Sequence, residues 1–113
     1  PTSIVTNKTD RIAQYLVKEL LDYSQFVVVQ GAVPHKPQKP DPTVVLEAVT
    51  AMNCDPATVI YLGDSGIDME TAHAAGLFPV GVSWGFRSKE ELSNAGAKQI
   101  IDDPLQLLEY VSI

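Results

Sequence analysis

Two aspartates four residues apart, Asp64 and Asp68, stand where a short apolar run gives way to a helical pattern. The run is Val59-Ile60-Tyr61-Leu62, broken by Gly63; the pattern is Met69, Ala72 and Ala75, stopped by Gly76. Carboxylates at a strand-to-helix turn lie at the carboxyl edge of a sheet, where open α/β folds place their ligands. Two acids at this spacing suit a hard divalent cation such as Mg²⁺, held through carboxylate and water oxygens. They would serve equally well as caps and dipole partners of the helix. The turn by itself does not choose.

More polar groups gather if the other strands run parallel to this one. Thr6 and Asn7 end an apolar stretch near the start of the chain, and Lys39 enters from a loop with prolines at 34, 37 and 40. A hydroxyl, an ammonium and two carboxylates on one edge suit a phosphate beside a divalent metal. The hydroxyl donates to phosphoryl oxygens, the lysine offsets their charge, and the carboxylates hold the cation. Singly, each has a plainer reading. Thr6 can simply end a strand, and Lys39 can be one exposed charge among several, with Lys36 close by. His35 and His73 lack ligand spacing to another His or Cys and are expected on the surface. Trp84 is expected in the core or a cleft wall.

The elements that must position these groups follow from apolar patterning. Ser3 to Asn7 and Phe26 to Val29 read as strands, as do residues 59–62, 80–84 and 99–101. Between the first two, Thr9 or Asp10 caps a helix whose apolar face is Ile12, Leu16 and Leu20, flanked by Ala13, Val17 and Leu21. Asp41-Pro42 starts a helix carrying Val45, Ala48, Val49 and Met52, expected to end at Asn53. Ser88 with Glu91 forms a capping box, and Gly96 stops that helix. Asp102-Asp103-Pro104 opens a last helix with Leu105, Leu108 and Val111 inward. Strands alternating with helices predict an α/β fold, a parallel sheet with helices on both faces.

The totals narrow the function. The 113 residues allow one modest domain, and 45% apolar content fits a globular chain. A net charge of −6 without a Lys/Arg cluster argues against nucleic acid and anionic membrane as partners. No apolar run approaches the roughly 20 residues of a membrane span, and no signal-peptide pattern is visible. The lone Cys54 excludes an internal disulfide, so a reducing, cytoplasmic compartment is expected.

The motifs together resemble the haloacid dehalogenase (HAD) superfamily of phosphatases, in its phosphoglycolate phosphatase branch. The resemblance rests on Ile4-Val5-Thr6-Asn7-Lys8, on Lys39-Pro40-Asp41-Pro42, and on Gly63-Asp64-Ser65-Gly66-Ile67-Asp68 with Ala74-Ala75-Gly76. Gly81-Val82-Ser83-Trp84-Gly85 and the late Ala95-Gly96-Ala97 fit this branch too, so the likeness covers nearly the whole chain. It implies a three-layer, Rossmann-like core and Mg²⁺-dependent hydrolysis of a small phosphorylated metabolite, 2-phosphoglycolate, through an aspartyl-phosphate. Carried over by position, Thr6 binds the phosphoryl group with Asn7 beside it. Lys39 neutralises nucleophile and phosphoryl oxygens, Asp64 ligates Mg²⁺, and Asp68 supports it directly or through water.

One departure is severe. The family's first motif, Asp-x-Asp-Gly-Thr, supplies nucleophile and general acid/base, and no Asp-x-Asp occurs here. The inserted cap is absent as well, and the chain opens with Pro1 rather than Met. The expectation is that residues 1–113 are the C-terminal portion of a HAD-like core, lacking its central strand and inactive alone. Removing that strand leaves two apolar edges, near residues 3–6 and 59–62. They would pair with each other, self-associate, or hold a separate piece. Alternatives are a non-catalytic anion- or metal-binding module, a signalling receiver domain, and, within the family, a pyrophosphatase or sugar phosphomutase.

Overall fold

A computed structural model describes residues 1–111. Strand β1 (Thr2–Thr9) leads into α1 (Asp10–Leu20), and a 3-10 turn (Tyr23–Gln25) returns the chain to β2 (Phe26–Ala32). After the proline-rich loop come α2 (Thr43–Ala51), a second 3-10 turn (Pro56–Thr58), β3 (Ile60–Gly63) and α3 (Gly66–Ala75). Then follow β4 (Phe78–Val82), α4 (Lys89–Asn94), β5 (Gln99–Ile101) and a 3-10 segment (Pro104–Glu109). All pairing is parallel, as the alternation predicts.

The strands form two sheets rather than one. β1 pairs with β2, and β3-β4-β5 form the other in that order. The β3–β4 register runs without a slip from Ile60 opposite Phe78 to Gly63 opposite Gly81. The β1–β2 ladder shifts twice, between Thr2 and Ile4 and between Val5 and Thr9. β1 and β3 are not hydrogen-bonded to each other, so direct pairing of the two edges does not occur.

Helices hold the sheets together where backbone bonds do not. Val45 and Val49 of α2, Ala72 and Ala75 of α3, and Leu77 form a buried cluster, against which pack Val5 of β1 and Tyr61 of β3. Ile60 belongs instead to a second cluster with Val80, Val82, Ile101 and Leu107. Neighbouring strand residues point to opposite faces, which is why Ile60 and Tyr61 part company. Among the described residues, no helix is long and apolar enough to cross a membrane.

Several local expectations shift. In α1 the burial falls on Ala13 and Val17, while Ile12 and Leu20 are 51% and 73% exposed. The Asp10 carboxylate accepts from the Gly31 amide at 2.9 Å instead of capping α1, and this tethers the helix start to β2. Thr9 occupies the N-cap without a side-chain bond. Residues 83 and 84 lie beyond β4, and Trp84 is half exposed rather than core. The last helix is 3-10, with Leu105, Leu108 and Val111 outward and Leu107 inward. At three residues per turn, positions i and i+3 share one side, and that side meets solvent.

Candidate functional site

The β3–α3 turn is built around Asp68. Ser65 is the N-cap of α3: its hydroxyl oxygen accepts from the Asp68 amide at 3.3 Å, and the hydroxyl donates back to Asp68 Oδ2 at 3.1 Å. The Asp64 amide donates to the same Oδ2 at 3.1 Å. Gly63 lets this carboxylate fold back over the strand end, for a Cβ there would sit 2.2 Å from that of Asp68. Asp64 is exposed, with Gly85 pressed against it so closely that a Cβ would come within 2.5 Å of the Asp64 Cβ. Of the two acids, Asp68 is the one tied into the helix start. Asp64 faces outward.

Lys39 crosses from the β1 side to meet this turn. Its ammonium donates to Asp68 Oδ1 at 2.6 Å and to the Val5 carbonyl at 3.3 Å, and stands 5.9 Å from the centre of the Tyr61 ring. The Tyr61 hydroxyl donates to the same Oδ1 at 3.3 Å. Both side chains of the ion pair are nearly buried, at 11% and 12% exposure. Burial by itself would raise the Asp68 carboxyl. The bond to Lys39 and its charge, with Ser65 and the Asp64 amide, outweigh burial and hold it below the usual carboxylate value. Burial, reinforced by the negative charge of Asp68, pushes the Tyr61 phenol far up, so it remains a neutral donor.

Lys36 does not share this place; it pairs with Glu47 at 3.1 Å on the surface. Asn7 lies against the Lys39 backbone, with Nδ2 donating to the Lys39 carbonyl at 3.1 Å and Oδ1 accepting from the Lys39 amide at 3.0 Å. Thr6 is half-buried and does not end its strand, because β1 runs on to Thr9. Its hydroxyl accepts from the Lys8 amide at 3.2 Å within the stretch where the β1–β2 register slips. A hydroxyl that accepts there keeps its own proton to donate. His35 and His73 are exposed, as expected, and Cys54 is half-buried.

The structure therefore links Asn7, Lys39, Asp68 and the Asp64 amide in one chain of contacts, with Thr6 next to Asn7 in sequence. Sequence patterning missed three contributors. Tyr61 read only as part of an apolar strand. Ser65 had a signal, since Ser-x-x-Asp is a capping pattern. Glu91 was expected to close a box with Ser88; Ser88 does cap α4, but the Glu91 carboxylate accepts from the Gly66 amide at 2.9 Å instead.

Comparison with known proteins bears on the family of the chain. Residues 1–82 match the family model of the haloacid dehalogenase-like hydrolases. The N-acetylmuramic acid 6-phosphate phosphatase of Pseudomonas putida is 32% identical over 96% of the chain, which covers 49% of that protein. The phosphoglycolate phosphatase of Neisseria meningitidis is 33% identical over 86% of the chain, covering 41% of that protein. A haloacid dehalogenase-like family hydrolase from Streptococcus pneumoniae superposes with a TM-score of 0.82 at 27% identity, over 96% of this chain and 51% of that one. The chain spans about half the length, or less, of these relatives.

Proposed function

Because this chain belongs to the haloacid dehalogenase-like hydrolase family, we propose that it supplies the phosphoryl- and metal-binding edge of a Mg²⁺-dependent phosphomonoesterase acting on 2-phosphoglycolate. The observation that carries this reading is the Lys39 ammonium, delivered between β1 and β3 onto Asp68. An ammonium has three donors. Asp68 and the Val5 carbonyl take two, and the third is left for a phosphoryl oxygen or the attacking carboxylate. Asp68 holds the lysine in place through the 2.6 Å ion pair. Thr6 donates its hydroxyl proton to a second phosphoryl oxygen.

The donors fit Mg²⁺ sparingly. Mg²⁺ commonly takes one or two carboxylates and fills its sphere with water and phosphate oxygens. Asp64 is exposed and suited to that role, whereas both oxygens of Asp68 already accept protein hydrogen bonds. Among the described residues, no three His, Cys, Asp or Glu side chains gather into a metal cluster. A bound cation would offset phosphoryl charge as a Lewis acid. Asp64 would hold it, with Asp68 reaching it through water.

The nucleophile lies outside these residues in this reading, on a strand seated between β1 and β3; without that strand, the open edges favour self-association. A phosphoglycolate phosphatase among the relatives supports the substrate. The N-acetylmuramic acid 6-phosphate phosphatase favours a second reading, a sugar phosphate ester. The test is phosphate release from both substrates by the 113-residue polypeptide with Mg²⁺, beside Mn²⁺ binding followed by electron paramagnetic resonance. No turnover is expected, and Asp64→Asn weakens Mn²⁺ binding about tenfold, as for loss of a charged ligand. Mg²⁺-dependent turnover, or Mn²⁺ binding indifferent to Asp64, would overturn the assignment.

A further inference from the structure

We propose that Asn7 is the positioning residue for Lys39, holding the lysine by its backbone so that the ammonium reaches across the gap between the two sheets. This rests on the reading of Lys39 as the phosphoryl-neutralising group. The clamp itself stands on geometry alone.

Lys39 lies in no helix or strand; it sits in the loop between β2 and α2. A loop lysine has four rotatable side-chain bonds and no ladder to fix its Cα, so its ammonium would sweep a wide volume. The Asn7 amide supplies what the loop lacks. It donates to the Lys39 carbonyl at 3.1 Å and accepts from the Lys39 amide at 3.0 Å, much as a neighbouring strand would. One primary amide thus satisfies both main-chain groups of a single residue, across 32 positions of sequence.

The location of Asn7 matters as much as its bonds. It follows Thr6 on β1, in the stretch where pairing with β2 slips between Val5 and Thr9. Val5, two residues before Asn7, gives its carbonyl to the lysine ammonium at 3.3 Å. Lys39 is therefore gripped twice by the same three residues of β1, at its backbone by Asn7 and at its head by Val5. Only then does it meet Asp68 at the start of α3 and Tyr61 on β3. Asn7 is exposed, and its amide oxygen and one of its two N–H donors are engaged by Lys39, so its effect on a bound phosphate runs first through the lysine.

The experiment is amide hydrogen exchange by NMR on the whole 113-residue chain, as wild type, Asn7→Ala and Asn7→Asp. Asn7→Ala is expected to speed exchange of the Lys39 amide by about tenfold or more, as for loss of a hydrogen bond. Asn7→Asp keeps the acceptor and is expected to restore protection at Lys39 to within about threefold of wild type. A merely structural asparagine would loosen residues 36–42 together in both variants. That pattern, or an unchanged Lys39 amide in Asn7→Ala, overturns the proposal.

Titration of the same samples with inorganic phosphate and Mg²⁺ separates the two claims. Weaker phosphate binding by Asn7→Ala, about tenfold, supports both the clamp and the role of Lys39. If wild type shows no Lys39-dependent phosphate binding, the functional reading of Lys39 fails, and the exchange data still decide whether Asn7 holds it. Should Asn7→Ala fail to fold, Asn7→Asp against wild type decides: loss of Lys39 protection in Asn7→Asp overturns the clamp, and its retention supports it.

Discussion

The two sheets of this molecule are built from the same unit, a strand, a helix and a parallel strand, yet they are finished to different degrees. In the β3-β4-β5 sheet the ladder is regular and the central strand is well covered: Val80 and Leu92 are fully buried, with Ile101 at 2% exposure, while Leu62 on β3 stays 43% exposed. In the β1–β2 sheet the register slips twice, Val29 is the buried apolar residue of its strands, and α1 leaves Ile12, Tyr15 and Leu20 in solvent, with Leu21 just after it. The regular sheet carries the turn that places Asp64 and Asp68. The irregular one carries Thr6 and Asn7, where a strand that leaves its ladder frees side chains to reach for a loop. Order on one side and departure from order on the other meet at Lys39. What the difference teaches is that the bond between the halves is made by side chains and helix packing, since no backbone ladder joins β1 to β3.

The comparison breaks most sharply at that junction. Lys39→Met leaves the Asp68 carboxylate nearly buried without its cation and is expected to cost on the order of 3 kcal/mol in urea unfolding. A cost below about 1 kcal/mol would mean that the pair is no more than a surface contact. Next in size is the contrast within the core. Val80→Ala removes fully buried methyls from the regular sheet and is expected to cost about 2 kcal/mol, whereas Val27→Ala on the half-exposed β2 stays within about 0.5 kcal/mol. Equal costs would erase the distinction between the sheets.

The smallest effect is acid sensitivity. The Asp68 carboxyl titrates below its ordinary value of 3.8 in the folded chain, so its pairing contributes fully above that value. The contribution is lost as pH falls through the lower folded value. The stability difference between wild type and Lys39→Met should therefore be constant above about pH 5 and shrink below pH 4 in acid titrations at fixed urea. A difference that grows on acidification would reverse the sign of the linkage.

Much of this was legible from residue order. Alternating strands and helices, the Gly63-Asp64 break, the Gly76 stop and the Asp41-Pro42 helix start all report local chemistry, and local chemistry is what a sequence displays. The lysine loop was found by its prolines, though proximity alone could not separate Lys39 from Lys36; that took Glu47 on one and Asp68 on the other. Long-range partnerships were hidden. Nothing near Tyr61 announces a bond to Asp68, and the Asn7–Lys39 clamp spans 32 residues. Helical periodicity found the apolar side of α1 but not its centre: burial falls on Ala13 and Val17, while Ile12 and Leu20 at its margin are exposed.

In the proposed reading, Lys39 is the cation that would meet a phosphoryl group at the edge shared by Thr6 and Asp64. Isothermal titration of inorganic phosphate in the presence of Mg²⁺ tests this most directly, using wild type, Lys39→Met and Thr6→Val, with Lys36→Met as the control. Saturable binding by wild type and Lys36→Met, lost in Lys39→Met and weakened in Thr6→Val, is the predicted result. Equal binding by all four, or a loss confined to Lys36→Met, would contradict it.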